Sequence, residues 1–583
     1  MILSQLLMLK FGRAPSVNSE LLLSIRFGII LICILTVRVS LLRNLSLPSE
    51  TEEILETDYV SACKHIASQI QSRSDLSRHD IAKIVRDASA RYCLSTLPRN
   101  QDILGYLDNL DSYRKLLMVK PVKTASGVVI IAVMPKPYAC PQGRCIYCPG
   151  GISANTPLSY TGREPATMLA QKFGYNPFEQ IRSKLSHICS LGHDAGKVEL
   201  VIVGGTFPFM PHDYQREFVK LCFDALNCDN DISVSSLGLH EAMKINETAK
   251  TRCVGLTVET KPDYCKEQHI DLMLDMGVTR VEVGVQSLQE GVYKAVNRGH
   301  DLEDVIESFR IARDSGLKIV AHMMPGLPGS SPEKDIQDFN TLFENPLFKP
   351  DMLKIYPTLV LKDTPLYKLY TNGRYAPYSQ DELIDILIAV KKKVPPWIRI
   401  MRVQREIEPK EIIAGPKFGN LRQIVLRKLH DQGLRCNCIR CREVGLDVKR
   451  SMLTDDIVLN RIDYSAACGT EVFLSFQTSD HSKILGFLRL RRIKTSHRKE
   501  LKQDSTIVRE LHIYGPMLNV GSRGEDRSYQ HSGYGGQLMQ EAERIASQEF
   551  GVRKLAVISA VGTREYYKKL GYQNDGPYMS KAL

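Results

Sequence analysis

The chain has 583 residues and a formal net charge of +12 at neutral pH, with 43% apolar and 24% charged residues. At roughly 150 residues per domain, that length calls for three or four domains and excludes a single small module. The ordinary apolar fraction excludes a fibrous or disordered chain, and 15 cysteines in so long a sequence exclude a disulfide scaffold, so clustered thiols in a reducing compartment fit instead.

In chain order, the first feature is "RFGIILICILTVRVSLL", with an apolar run from Phe27 to Val37 between Arg26 and Arg38. The run is short for a membrane span, which needs about 20 residues. It has the length of a signal-peptide core but no convincing small-residue cleavage site. A third reading is a start codon chosen too far upstream. No Met lies between Met8 and Met118, so a later start would use another codon. Residues 1–50 are expected to be a leader outside the folded enzyme, and the protein is expected to be cytoplasmic with no membrane partner.

Residues 51–125 read as helical. "ETDYVSACKHIASQI" and "LSRHDIAKIVRDASARYCL" carry apolar residues at three- and four-residue spacing, with Asp80 as the expected cap before Ile81. From 126 to 395 the pattern changes to short apolar runs: "VVIIAVM", "VELVIVGG", "CVGLTVET", "RVEVGVQS", "KIVAHMMPG" and "MLKIYPTLV". Helical stretches separate them, such as the one opened by Asp301 and closed by Gly316. Apolar strands alternating with helices predict a parallel sheet, here a partial six-stranded barrel with its site at the C-terminal strand ends.

A Pro395-Pro396 break leads into a basic segment, 396–453. Between Lys391 and Arg450 there are 16 Lys/Arg against 6 Asp/Glu, a local field suited to a polyanion such as nucleic acid. Residues 454–583 read as a further unit of strands, a glycine-rich turn, an amphipathic helix and "KLAVISAVGTREYYKKLGY".

Three motifs carry chemistry. "ACPQGRCIYCPGG" holds Cys140, Cys145 and Cys148 just after the first barrel strand. Three thiolates can hold three irons of a [4Fe-4S] cluster and leave the fourth open to a small molecule. The alternative is zinc with a distant fourth ligand. "VGGTF" places Gly204, Gly205 and Thr206 past the second strand, where bare backbone can approach a ligand. The second motif, "QHSGYGG", sets Gln530, Gly533 and Gly535 before a helix. Free amides at a helix N-terminus suit the pyrophosphate of coenzyme A. The third, "LRCNCIRC", offers Cys436, Cys438 and Cys441 to a structural zinc, with His430 as the candidate fourth ligand.

The cysteine loop followed by a Gly-Gly pair resembles the radical S-adenosylmethionine superfamily, though four residues rather than the commoner three separate the first two cysteines. The glycine loop before a helix resembles the GCN5-related acetyltransferases. Together with "SYTGREP", "ETKPDYC", "GVQS", "NRGH", "AHMMPGLP", "KIYPTLV", "VPPWIRIMRVQRE", "RELHIYG" and "GPYM", residues 51–583 resemble the family of Elongator catalytic subunits, in a form similar to its archaeal and bacterial members.

The resemblance implies an α/β fold: a partial (βα)6 radical-SAM barrel, a C-terminal α+β acetyltransferase domain, a helical N-terminal tRNA-binding region and a zinc-type linker. It implies a tRNA wobble-uridine acetyltransferase that uses acetyl-coenzyme A and a 5′-deoxyadenosyl radical from S-adenosylmethionine to form a carboxymethyl-type uridine. By the same resemblance, Cys140, Cys145 and Cys148 bind the cluster, and Tyr147, Gly204, Gly205, Thr206 and Gln286 bind S-adenosylmethionine. Lys197, placed near the radical site, contacts acetyl-coenzyme A. So do Glu510, Leu511, His512, Ile513, Gln530, Gly533, Tyr534, Gly535, Gly536 and Tyr567, with Tyr566 and Tyr567 near the thioester. Partners implied are the tRNA anticodon stem-loop, an electron donor, and a second copy or accessory subunits. The competing reading is a protein lysine acetyltransferase with a purely structural cluster. A non-catalytic scaffold is the weaker third.

Overall fold

The structure, a computed structural model, describes residues 50–108, 113, 116–120, 124, 126–228, 236–444, 456–502, 505–515 and 533–583. The apolar leader therefore lies outside the described residues. Among those described, no helix is long and apolar enough to cross a membrane. The chain divides into two compact units, 1–117 and 118–583.

The first unit is helical, with helices Glu50–Gln71, Arg78–Arg91 and Asn100–Leu104. Ile66, Ile70, Ile81, Ile84, Ile103 and Leu104 pack into its core, as the three-four spacing predicts. The cap of the second helix differs from expectation. Ser77 is the N-cap, and Asp80, three residues on, returns its carboxylate to the Ser77 backbone in a capping box. Asp80 is the reciprocal partner because the helix starts one turn earlier than its apolar stripe.

The second unit carries two seven-stranded sheets. The first is wholly parallel: β1 (Val129–Val133), β2 (Lys197–Ile202), β3 (Arg252–Thr260), β4 (Arg280–Gln286), β5 (Lys318–Met323), β6 (Met352–Ile355) and β8 (Arg399–Arg402), hydrogen-bonded in that order. The six expected strands are all present. The seventh, β8, comes from the segment read as linker. β7 (Val360–Leu361) and β9 (Ile412–Ala414) form a small separate ribbon. Asp301 caps helix Leu302–Asp314 as expected, and Gly316 follows it with φ +86.

The second sheet is the acetyltransferase-type one: β10 (Ile457–Ala466), β11 (Gly469–Thr478), β12 (Ile484–Arg492), β13 (Ser505–Ile513), β14 (Lys554–Val557), then β16 (Tyr578–Ala582) and β15 (Gln573–Asp575). Only its β13–β14 pair is parallel. A bulge between Arg489 and Leu490 leaves Arg509 as the extra residue on β13. That arginine turns toward the N-terminal ends of the barrel strands.

There, Arg313, Arg489, Arg491 and Arg509 meet Asp314, Asp351, Glu471 and Glu510 in one buried lattice that ties the sheets together. Arg509 grips Asp351 through two bonds of 2.8 and 2.6 Å. The acetyltransferase sheet therefore docks on the end of the barrel opposite the cysteine loop.

Candidate functional site

The cysteine loop leaves β1 and is fixed by its backbone. Ile146 N–H donates to Val296 O at 3.2 Å, and the Arg144 guanidinium donates to Cys148 O at 2.7 Å. The extra residue in the first cysteine gap is taken up at Gly143, whose φ of +82 suits glycine. Cys145 and Cys148 are buried and Cys140 is half-buried. Cys145 is held well below the ordinary thiol range, first by the hydrogen bond with Cys148, then by Arg298 and Gln142 acting against burial.

The donor set fits an iron–sulfur cluster. Three thiols on one loop line the same cavity, so each can take one iron and leave a fourth open to a ligand beside the buried Tyr147 hydroxyl.

Around this loop the structure gathers the residues expected at an S-adenosylmethionine site. Gly204 and Gly205 have φ of +128 and +107, and Gly204 N–H donates to Glu259 Oε2 at 3.0 Å. A side chain at Gly204 would press on Pro157 at 3.3 Å, whereas Gly205 faces open space. Gln286 closes β4 with φ +73. Its Oε1 and the Tyr147 hydroxyl are buried with no protein partner, and both residues line the cavity. Such atoms are costly unless a ligand or water satisfies them.

The cavity itself is about 450 Å³ and runs the length of the barrel. Cys140, Cys145, Cys148, Gly205 and Thr206 line one end. Glu510, His512 and Tyr514 of the acetyltransferase sheet line the other. Its middle is charged: Glu282 takes Lys354 and His322 as partners, the latter at 2.8 Å, and Arg280 contacts Glu199. Burial alone would raise the Glu282 pKa, but Lys354 and His322 hold it well below the carboxylate range.

On the acetyltransferase side, β13 pairs with β14 only as far as Val508 and Val557. Beyond that point β13 parts from β14, and residues 510–513 continue in register with β12. Gly533, at φ +87, precedes helix Tyr534–Arg544, whose N-terminus has no side-chain cap. A Cβ on Gly535 would sit 2.9 Å from the Tyr566 hydroxyl. Tyr567 is buried and lines a small second cavity with Lys318, Glu510, Leu511 and His512. Leu511 and Ile513 pack against the acetyltransferase core. The Glu510 carboxylate accepts from Arg489 Nε at 2.8 Å, and the residue lines both cavities. Gly536 stands open beside Gly535. Gln530 lies outside the described residues.

Two expectations are corrected. Lys197 does not stand by the cysteine loop: it begins β2, and Gly204 follows the other end, roughly 20 Å of strand away at about 3.3 Å per residue. Its place is the barrel edge nearest the acetyltransferase sheet, and burial lowers its pKa to about 8. Nor does His430 complete the second cysteine site. Its side chain is 91% exposed, near Asp431. The group facing the sulfurs is buried Lys391, with Nζ 3.6 Å from Cys436 Sγ and 3.9 Å from Cys441 Sγ. A helix ending in three lysines reads as a solvated end, and nothing in the run marks one of them as turning inward. Glu259, Lys261, Glu282, Arg298, His322 and Lys354 also went unassigned. Of these, Glu259 and Lys261 stand in "ETKPDYC", Arg298 in "NRGH", His322 in "AHMMPGLP" and Lys354 in "KIYPTLV", motifs visible in the sequence without a task.

Comparison with known proteins agrees with this geometry. Residues 134–342 match the Radical SAM superfamily, 350–431 the Radical_SAM C-terminal domain, 59–125 the ELP3 N-terminal domain and 459–572 the Acetyltransferase (GNAT) family. A tRNA uridine(34) acetyltransferase of Methanocaldococcus infernus is 46% identical over 83% of this chain and 92% of its own. Elongator complex protein 3 of Dictyostelium discoideum is 45% identical, covering 86% of this chain and 91% of its own, and that of Homo sapiens 44%, covering 86% and 93%. These identities do not separate archaeal from eukaryotic kinship. A solved structure of the archaeal Methanocaldococcus infernus Elp3 lacking its N-terminus superposes with a TM-score of 0.69 at 42% identity, covering 79% of this chain and all of that one.

Proposed function

We propose that this chain, which belongs to the family of Elongator complex protein 3 and the tRNA uridine(34) acetyltransferases, is an enzyme that carries an acetyl-derived carbon to a wobble uridine of tRNA. One observation carries the reading: a single cavity is lined by the three cysteines at one end and by the acetyltransferase strand at the other. A lysine acetyltransferase with a structural cluster has no use for such a passage.

Cys140, Cys145 and Cys148 would hold a [4Fe-4S] cluster. With S-adenosylmethionine it supplies, when bound, a radical able to act on an unactivated methyl C–H. The chain's own groups do the rest. The Tyr147 hydroxyl, the Gly205 backbone, Thr206 and the free Gln286 Oε1 are placed to orient S-adenosylmethionine. The stretch of β13 beyond Val508, where it parts from β14, would receive the pantetheine arm. The uncapped amides at 533–536 take the pyrophosphate. Lys197 and Lys318 supply positive charge at that end of the barrel, both with pKa lowered by burial to about 8.

tRNA is the substrate in this reading. Arg402, Arg405 and Arg440 line the cavity and suit the phosphates flanking an extruded base. The reading also needs a low-potential one-electron donor. Cys436, Cys438 and Cys441 would hold a structural zinc, with Lys391 rather than His430 beside the thiolates.

The test is anaerobic. Reconstituted protein is given S-adenosylmethionine, reductant, acetyl-coenzyme A, bulk tRNA and lysine peptides, and the digested nucleosides and the peptides are analysed by mass spectrometry. A carboxymethyl-type uridine that is absent with Cys145→Ala supports the reading. Acetylated lysine peptides from both proteins, with no modified uridine from either, would reject it.

A further inference from the structure

The segment 296–300, which contains "NRGH", is a saddle beneath the cysteine loop. Asn297, at φ +55, donates from Nδ2 to Arg144 O at 3.0 Å and to Gln142 O at 3.5 Å. Gly299 has φ +74, and a Cβ there would lie 2.4 Å from Gln142 Cβ. Only glycine lets loop and saddle meet so closely.

Arg298 then runs beneath the loop, 7% exposed. Its Nη2 donates to Gly284 O at 2.6 Å, and a Cβ on Gly284 would stand 2.4 Å from that nitrogen. β4 thus has a glycine where the guanidinium crosses it. Nη1 lies 3.8 Å from Cys145 Sγ, and Nε has no partner. Among the described residues no carboxylate pairs with Arg298, so the thiolates are its counter-charge. Gln142 gives Cys145 Sγ a second donor, Nε2 at 3.6 Å, and its Oε1 is held by Lys261 Nζ at 2.7 Å. Lys261, 2% exposed, is itself paired with Asp263 at 3.1 Å.

We propose that Arg298 is a positioning residue that sets the reduction potential of the cluster through Cys145, with Gln142 as its lesser partner. This rests on the cluster reading above. Taking up one electron adds a negative charge in a buried place. A cation with no carboxylate partner beside a ligand sulfur, with N–H···S donors, favours the reduced form and raises the potential. The electron comes from the one-electron donor that the proposed activity already needs.

The experiment uses full-length protein, reconstituted anaerobically without S-adenosylmethionine: wild type, Arg298→Met, Arg298→Lys and Gln142→Leu. Iron and sulfide are measured first, then the midpoint potential by electron paramagnetic resonance during a redox titration. Arg298→Met is expected to keep its iron and shift to a more negative midpoint. Arg298→Lys should stay nearer wild type, and Gln142→Leu should shift in the same direction by less. A wild-type midpoint in iron-replete Arg298→Met overturns the proposal, as does an equal shift in Arg298→Lys, which would make the effect one of shape. If Arg298→Met holds no iron, an unshifted Gln142→Leu overturns it and a shifted one supports it. A wild-type protein that builds no four-iron cluster instead refutes the proposed function, before any variant is compared.

Discussion

Asp351→Asn should loosen the acetyltransferase sheet from the barrel. Asp351 precedes β6, is 0% exposed and accepts both bonds of the Arg509 fork, at 2.6 and 2.8 Å. Arg313 and Arg489 stand at 3.5 and 3.6 Å, and the Ile319 amide also donates to it, at 2.9 Å. The lattice balances four arginines against four carboxylates, so the amide leaves one buried positive charge uncompensated. Losing one partner of a buried pair costs about 3–5 kcal/mol. Urea unfolding with an unchanged m-value reads that loss directly. Adding Arg509→Met restores neutrality and should recover part of it, with a coupling energy well above the scatter of independent sites.

The sign with pH follows from the same lattice. Burial would raise the Asp351 pKa, but Arg313, Arg509 and Arg489 hold it far below its ordinary 3.8. Its stabilisation is therefore full above about pH 4 and is lost as pH falls further. Asp351→Asn should flatten that part of the acid dependence. A single-variant loss below about 1 kcal/mol, the scale of an exposed pair, would mean that Asp351 does not hold the two sheets together.

Three other outcomes are expected. Gly535→Ala puts a methyl 2.9 Å from the Tyr566 hydroxyl and should weaken coenzyme A binding by calorimetry, with Tyr566→Phe restoring part of it. Lys197 is cationic below about pH 8, so acetyl-coenzyme A affinity should fall as pH rises through 8 and fall less steeply in Lys197→Met; a slope unchanged in the variant would remove Lys197 from the binding site. Lys318, which titrates in the same range, accounts for the slope that remains. Cys438→Ser should lose zinc by elemental analysis while His430→Ala keeps it; the reverse result would restore His430 as a ligand.

Much of this was legible in the sequence because the chemistry there is local. The barrel strands are mostly buried outside the cavity they line, and so read as largely apolar runs. The cysteine loop and the Gly204-Gly205 pair follow strands, where a parallel sheet puts its site. The rest depended on which end of an element faces what. Lys197 and Gly204 flank one strand and differ in role because β2 runs the depth of the barrel. "FLRLRR" alternates like a half-exposed strand, yet Arg489 and Arg491 point into a charged interface supplied by residues far away in sequence. Lys391 reaches Cys436 from 45 positions away in the sequence. Arg298 stood in a visible motif, but only the saddle under the loop gives it a task.

The central claim is that one cavity joins the radical end to the acetyl end. The most direct measurement supplies acetyl-coenzyme A deuterated at the methyl group, with tRNA and S-adenosylmethionine under reducing conditions, and weighs the 5′-deoxyadenosine released. Deuterium in that product is the predicted result, since it requires the acetyl methyl to reach the cysteine end of the barrel. Unlabelled 5′-deoxyadenosine formed alongside modified tRNA would contradict the account.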